Sequence, residues 1–454
     1  MRVAIVLFTA DLRLHDNPVL RAALSAAESV VPLFVVDSGV RDAGFTTPNR
    51  AAFLSECLAD LDRGLRARGG HLVIREGDVV REACRVAAET DAAEVHLAGG
   101  SSGYAQRRED RLRSALAADG RQLRVHDAVV TALPPGAVLP SGRSHFAVFT
   151  PYYRRWSAER LRPVTGAPRR VAVPTVSTLP LPAAASLAPG TASPALARGG
   201  ESEGRRRLAA WLRSGVDAYA VRHDDMAADA TSRLSPYLHF GCLSPVEVID
   251  RARRRPGGAE AFVRQLAWRD FHHQVLAAVP GAAARDYRTR HDRWRTDPEE
   301  LAAWKAGVTG FPVVDAAMRQ LAHEGWMHNR ARMLVASFLT KTLYHDWREG
   351  ARHFTDLLID ADVANNQLNW QWMAGTGTDT RPHRVLNPLV QARRFDPEGE
   401  YVRRWVPELA GVAGGAVHQP WRLEAVRRER LGYPGPLVGL PDALARFRRA
   451  RGLT

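Results

Sequence analysis

The sequence predicts an α/β N-terminal domain on a parallel, Rossmann-like sheet, then an all-α C-terminal domain, with a long linker joining them. Three observations carry this reading. Residues 1–130 alternate short apolar runs of β-type residues with amphipathic stretches, the signature of βαβ units. Residues 131–200 are rich in Ala, Ser and Thr and punctuated by prolines from Pro134 to Pro194, as expected of a connection lying over a surface. Residues 201–454 carry helix-capping signals ahead of apolar periodic segments, together with most of the 11 tryptophans.

The β-type runs fall at 3–8, 30–36, 71–75, 94–98 and 122–126, with helical stretches at 18–27, 49–68, 78–89 and 104–118. Ligands on such sheets bind outside the carboxyl ends of the strands. No G-x-G-x-x-G follows the first strand, so Gly69-Gly70 and Gly99-Gly100 read as turns. Within the linker, the aromatic stretch 145–160 can pack as a short helix. Within 201–454, Ser244-Pro245-x-Glu247 and Asp297-Pro298-Glu299-Glu300 mark helix starts.

The formal net charge is +14, an excess that suggests a polyanionic partner such as nucleic acid. Nearly all the cations are arginines; only Lys305 and Lys341 are lysines. Arginine suits bidentate phosphate contacts, although GC-rich coding produces the same skew. Cys57, Cys84 and Cys242 form no C-x-x-C pair, which argues against a disulfide framework and against structural zinc. No segment reaches about 18 apolar residues without charges, so a cytoplasmic protein is expected.

Four segments carry chemistry. Thr231-Ser232-Arg233-Leu234-Ser235 brings hydroxyls, backbone amides and a guanidinium into one turn, a phosphate-site composition; taken alone, a helix cap with a surface arginine is the simpler reading. In 262–271, Gln265, Trp268 and Arg269 share one helical face, which suits stacking on and reading a base but equally suits a core tryptophan beside surface polars. In 325–333, Asn329 and Met333 share a face and Arg332 points elsewhere; His328 reads as a structural histidine. In 359–372, Asp360, Asp362, Asn365, Asn366 and Asn369 form a polar loop entering a helix. With no His or Cys among them, hydrogen bonding to a heterocycle fits better than a metal, and no metal site is expected. Trp370 and Trp372 fall on roughly opposite helix faces.

Taken in order, DLRLHDNPVL (11–20), TSRLSPYLHFG (231–241), QLAWRDF (265–271), WMHNRARM (326–333), DWREG (346–350), ANNQLNWQW (364–372) and TGTD (376–379) resemble the photolyase/cryptochrome family over essentially the whole chain. The likeness is to class I microbial photolyases of actinobacterial type, which repair cyclobutane pyrimidine dimers. The resemblance implies a carbon–carbon lyase in which reduced, anionic FAD absorbs light and donates an electron to a flipped-out dimer; the bonds split and the electron returns. It implies that Tyr219, Thr231, Ser232, Arg233, Leu234 and Ser235 hold the FAD phosphates and ribose, and that Phe262, Arg269, Asn329 and Arg332 border the flavin. Asp360 pairs with Arg332, Asp362 accepts from the isoalloxazine or ribityl edge, and Asn366 faces N5. Trp370, Trp347 and Trp294 match the family's photoreduction chain. Each is also explained by core packing.

On the lesion side, the resemblance implies that Gln265, Trp268, Asn329, Met333 and Trp372 line a cavity for the extruded dimer. His223, Arg393 and Arg394 supply DNA contacts, while Arg253-Arg254-Arg255 reads as an exposed helix end. The partner is single- or double-stranded DNA containing pyrimidine dimers. A monomer without membrane contact, associated with the nucleoid through DNA, is expected. A (6-4) photolyase is the nearest rival: Gln265 stands where the dimer-repair pattern has Glu, but Asn329 and Met333 replace that rival's histidines. A cryptochrome signalling through a protein partner is the second, and Asn366 favours repair. For the antenna chromophore, Gln106 in place of the glutamate of folate-binding relatives favours 8-hydroxy-5-deazaflavin over methenyltetrahydrofolate.

Overall fold

The computed structural model describes residues 2–255, 257 and 259–453. They form two compact units. The first takes the chain up to Ala192, then Ala197–Asp217 and Ser232–Pro280; the second takes Ser193–Leu196, Ala218–Thr231 and the chain from Gly281 on.

The first unit is built on five parallel strands, β1 (Val3–Leu7), β2 (Ser29–Asp37), β3 (Val73–Gly77), β4 (Glu94–Ala98) and β5 (Gln122–His126), in the order β3-β2-β1-β4-β5. The central strand β1 is buried along its whole length, as parallel sheets covered on both faces require. Helices Pro18–Ala26, Pro48–Arg66, Val79–Glu89 and Gly103–Ala118 make the crossovers. Three of these starts are set by short polar side chains: Asn17 accepts from the Leu20 amide, Asp78 from Arg81 and Ser102 from Ala105. β3 begins at Val73, two residues later than the apolar run at 71–75, because the Leu72 amide donates to Asp62 Oδ1 at 2.9 Å rather than to a strand. Strand order reverses between β1 and β4, which makes their carboxyl ends the switch point of the sheet.

The proline-rich stretch runs along this unit and hydrogen-bonds to it. Val30 N donates to Ala172 O at 2.8 Å, Val171 N to Arg68 O at 2.9 Å and Leu179 N to Ile74 O at 3.0 Å. The aromatic stretch forms helix Phe149–Ala158. Buried Asp270 fastens helix Ala259–Ala278 to this region, accepting from Ala132 N, Leu133 N and Trp156 Nε1. Arg13, also buried, donates to the carbonyls of Asp16, Val129 and Gly241, joining three loops at one guanidinium.

The second unit is helical. Pro298–Ala306, Pro312–Glu324, Asn329–Ser337, Trp347–Leu357, Val363–Ala374, Pro388–Phe395 and Leu440–Ala450 are its main helices, packed on a core that includes Trp304, Phe311, Phe338, Trp347, Trp370 and Tyr401. Asp297 accepts from the Glu300 amide at 3.1 Å, the cap its sequence signals. Between Ser337 and Tyr344 the helix widens into a π-helical turn, Phe338–Leu343.

Gly241 stands at φ +68°, and a Cβ there would lie 1.9 Å from Ala10 O. A Gly241→Ala change combines the left-handed penalty of an L-residue with a backbone clash that no rotamer relieves, so a loss of about 3 kcal/mol is expected. Thermal unfolding should shift down by several degrees, whereas Gly411→Ala, with nothing within 4 Å, should leave the midpoint near its starting value.

Candidate active site

In the first unit, Ser232, Arg233, Leu234 and Ser235 lead into the short helix Ser235–His239. Ser232 Oγ accepts from Leu234 N at 3.4 Å, and Arg233 has φ +49°. A non-glycine residue in the left-handed region is a strained position of the kind found at ligand clamps. Helix Ala259–Ala278 carries Phe262, Gln265, Trp268 and Arg269. Arg269 ties it to the neighbouring turn, donating to Val130 O at 2.6 Å and Leu238 O at 3.3 Å. Phe262 packs 5.7 Å from Trp211. Trp268 stacks on Phe149 with centroids 3.7 Å apart and planes 7° off parallel, and it meets Phe271 edge-on. The ring is therefore held rigidly, while Gln265 on the same helix is exposed. Phe149 was not singled out in the sequence; only its place in an aromatic run signalled it.

In the second unit, Arg332 is the organising group. It donates Nε to Met327 O at 2.8 Å, and its two Nη atoms reach both oxygens of Asp360, at 3.0 and 2.9 Å. This is the fork-to-carboxylate geometry that fixes orientation as well as charge. It sets the loop before helix Val363–Ala374 against helix Asn329–Ser337. Asp362 then caps the former, its Oδ1 accepting from Asn365 N and Asn365 Nδ2, each at 2.8 Å. One turn on, Asn366 donates Nδ2 to Ala351 O at 3.0 Å and Thr355 Oγ1 at 3.1 Å. Those bonds decide which end of the amide is which, leaving Oδ1 as the acceptor. The anchors Ala351 and Thr355 were not legible in the sequence, because they come from a different helix.

Asn329 opens its helix exposed, with Met333 a turn later partly buried. His328 caps that helix: its Nδ1 accepts from Arg330 N at 3.1 Å, so Nε2 carries the hydrogen. Tyr219 is buried, and its carbonyl accepts from His223 Nδ1 at 2.8 Å. Arg393 and Arg394 are exposed at the end of helix Pro388–Phe395.

The tryptophans separate by burial. Trp370 and Trp347 are enclosed, whereas Trp372 and Trp294 are partly exposed. Trp370 fits against Gly350, where a Cβ would come within 2.1 Å of its ring. Trp347, one turn before Gly350, donates Nε1 to Asp286 at 2.9 Å and lies under the Arg348 guanidinium. Trp294 packs 5.0 Å from Tyr344.

Thr231 Oγ1 and His328 Nε2 are among the second unit's buried polar atoms that lack a hydrogen-bond partner among the described residues. Isolated buried polar atoms are costly, so both fit a ligand rich in acceptors. With the Asn366 acceptor and the Arg332–Asp360 pair, the donor set suits the phosphates, ribityl hydroxyls and ring amides of a flavin nucleotide. Among the described residues no group of three or more His, Cys, Asp or Glu is placed to hold a metal, and no helix is long and apolar enough to cross a membrane.

The model for the FAD binding domain of DNA photolyase matches residues 262–451, and the DNA photolyase model matches 4–172. The chain belongs to the DNA photolyase family. FAD is accordingly its cofactor. It is 65% identical to a deoxyribodipyrimidine photo-lyase of Streptomyces griseus, over 100% of both chains. A crystal structure of a class III photolyase from Agrobacterium tumefaciens superposes with a TM-score of 0.92 at 30% identity, covering 100% of this chain and 97% of that one. A photolyase from Sulfolobus tokodaii, solved with two FAD molecules, superposes at 0.88 and 30% identity over 100% of both.

Burial pushes His328 down to about 4, and His353, whose Nε2 is also buried without a partner, down to about 4. An unfolded chain takes up these protons near pH 6.5. The unfolded state therefore binds more protons between about 6.5 and 4, and stability falls as pH falls through that window, on the order of 3 kcal/mol for His328. Replacing His328 by Asn keeps a capping acceptor and removes the titration. Denaturant midpoints measured from pH 7 to 4.5 should fall less steeply in that variant than in the parent chain.

Proposed function

We propose that this protein repairs cyclobutane pyrimidine dimers in DNA, using light, at the site described above. The 65% identity to the Streptomyces griseus deoxyribodipyrimidine photo-lyase, without a gap in coverage, is the observation that carries it. When bound, reduced FAD supplies light absorption and the electron that opens the cyclobutane ring, with no net redox change.

The protein's contribution is binding, orientation and electrostatics. Tyr219, Thr231, Ser232, Arg233, Leu234 and Ser235 hold the phosphates and ribose. Phe262, Arg269, Asn329, Arg332, Asp360 and Asp362 border the ring system and fix its edge. Asn366 presents Oδ1 to N5, and the bonds to Ala351 and Thr355 that direct its amide support this role, because an acceptor there favours a protonated N5. Gln265, Trp268, Asn329, Met333 and Trp372 receive the lesion. A dimer is poorly stacked and paired, so extruding it costs less than extruding normal bases, and selectivity follows. The flat, rigid Trp268–Phe149 stack supports a stacking wall for it. His223, Arg393 and Arg394 contact the DNA backbone, with affinity that falls as salt rises.

Trp370, Trp347 and Trp294 pass electrons inward when the cofactor is oxidised. For the antenna, 8-hydroxy-5-deazaflavin is favoured by Gln106, whose Nε2 donates to Ala277 O at 3.2 Å. Arg108, on the same helix and close to Tyr104, Asp37 and Asp11 near the switch point, has a buried Nε without an acceptor among the described residues. That orphan supports a chromophore with acceptor groups at this end of the sheet.

Protein loaded with FAD and reduced should restore a thymine-dimer oligonucleotide under blue or near-ultraviolet light and leave it intact in the dark, read by recovery of absorbance at 260 nm. Restoration of a (6-4) product alone would overturn the substrate assignment. Gln265→Ala should weaken lesion binding about tenfold, one hydrogen bond's worth. Trp347→Phe should slow light-driven reduction of oxidised FAD while sparing repair by enzyme reduced chemically; equal loss of both would remove Trp347 from the electron path.

A further inference from the structure

A cavity of ≈ 270 Å³ in the second unit is lined by none of the residues assigned above to FAD, the lesion, DNA or the electron path. It lies between the π-helical turn Phe338–Leu343 and helix Leu440–Ala450. Leu440, Leu444 and Phe447 give it an apolar wall, and Lys341 and Arg448 a basic end beside the His383 imidazole. π-Turns of this kind collect at functional sites, and this one places Lys341 inward.

Lys341 is 1% exposed, yet among the described residues its Nζ makes one hydrogen bond, to Arg384 O at 2.7 Å. An ammonium group can donate three. The charges around it leave a cationic excess. Asp379 favours the ammonium form, while Arg451 and Arg384 oppose it, and burial outweighs them all, holding Lys341 at about 7. Asp292 also faces it, but that carboxylate is engaged by Arg451 at 2.5 Å and by the Tyr344 hydroxyl at 2.7 Å. His383 is pushed below the usual imidazole range by burial, then by Arg451, Arg290 and Lys341.

We propose that this cavity binds a small monocarboxylate with an apolar tail, the carboxylate between Lys341 and Arg448 and the tail against Leu440, Leu444 and Phe447. The charge requires an anion and the wall requires hydrocarbon, the usual division of labour in a small-molecule site. A bound carboxylate supplies the missing acceptor for Lys341 and makes its protonated form more favourable.

The test is calorimetric titration of the full, FAD-loaded chain with 3-phenylpropionate, with its neutral amide and with acetate. One saturable site is expected, with the amide and acetate each binding at least about tenfold more weakly. At pH 8, binding should take up protons, seen as a dependence of the heat on the buffer's ionisation enthalpy. Arg448→Gln should weaken binding about tenfold, and Leu444→Trp, which fills the cavity, should abolish it. Both should retain bound FAD and the parent unfolding temperature, which separates a filled site from a misfolded chain. Absence of saturable binding, equal affinity for acid and amide, or binding unchanged in both variants would overturn the proposal.

Discussion

The Arg332–Asp360 pair is the constraint from which the rest of the second unit's polar surface follows. A guanidinium bonded to both carboxylate oxygens has one orientation, and the third bond, to Met327 O, removes what freedom remains. That fixes where the loop carrying Asp360 and Asp362 turns, hence where helix Val363–Ala374 starts. Once the start is fixed, helical geometry dictates the rest. Asn366 comes round to Ala351 and Thr355, and Trp370 comes round to Gly350. A single ion pair thus sets the placement of an amide acceptor and of an enclosed indole.

The first unit relies on the same device with a different cost. Arg13 and Asp270 are buried charges that satisfy backbone groups rather than each other: three carbonyls for the arginine, two amides and an indole for the aspartate. Buried charges are tolerated only when bonded in this way. Burial pushes the Asp270 carboxyl up and the Arg13 guanidinium down. The gain is that loops far apart in sequence are held at defined positions beside helix Ala259–Ala278, which carries Gln265, Trp268 and Arg269. A photochemical step depends on distance, so a scaffold that trades some stability for fixed positions suits it.

The tryptophans illustrate how packing and electron transfer share one arrangement. Trp347 and Trp370 are core residues by burial, and their rings contribute to the unit's stability as large apolar groups do. The same enclosure keeps their positions constant, and their partly exposed counterparts Trp294 and Trp372 lie at its margins. Neither role excludes the other.

Much of this was legible in one dimension. Short apolar β-type runs placed β4 and β5 at their observed bounds and the other three strands to within two residues, because burial of a parallel sheet forces continuous apolar runs. Capping residues marked helix starts at Ser244 and Asp297, because those bonds are local in sequence. The ordered motifs marked the family. What the sequence left open depends on partners distant along the chain: the Asp62 side chain that delays β3, the Phe149 ring behind Trp268, the anchors that orient Asn366, and the cavity around Lys341. Sequence alone determined which chemical groups this protein owns and which helix faces they share. Tertiary structure decided which of those groups keep an unsatisfied hydrogen bond, since satisfaction depends on neighbours that only folding brings within 3 Å.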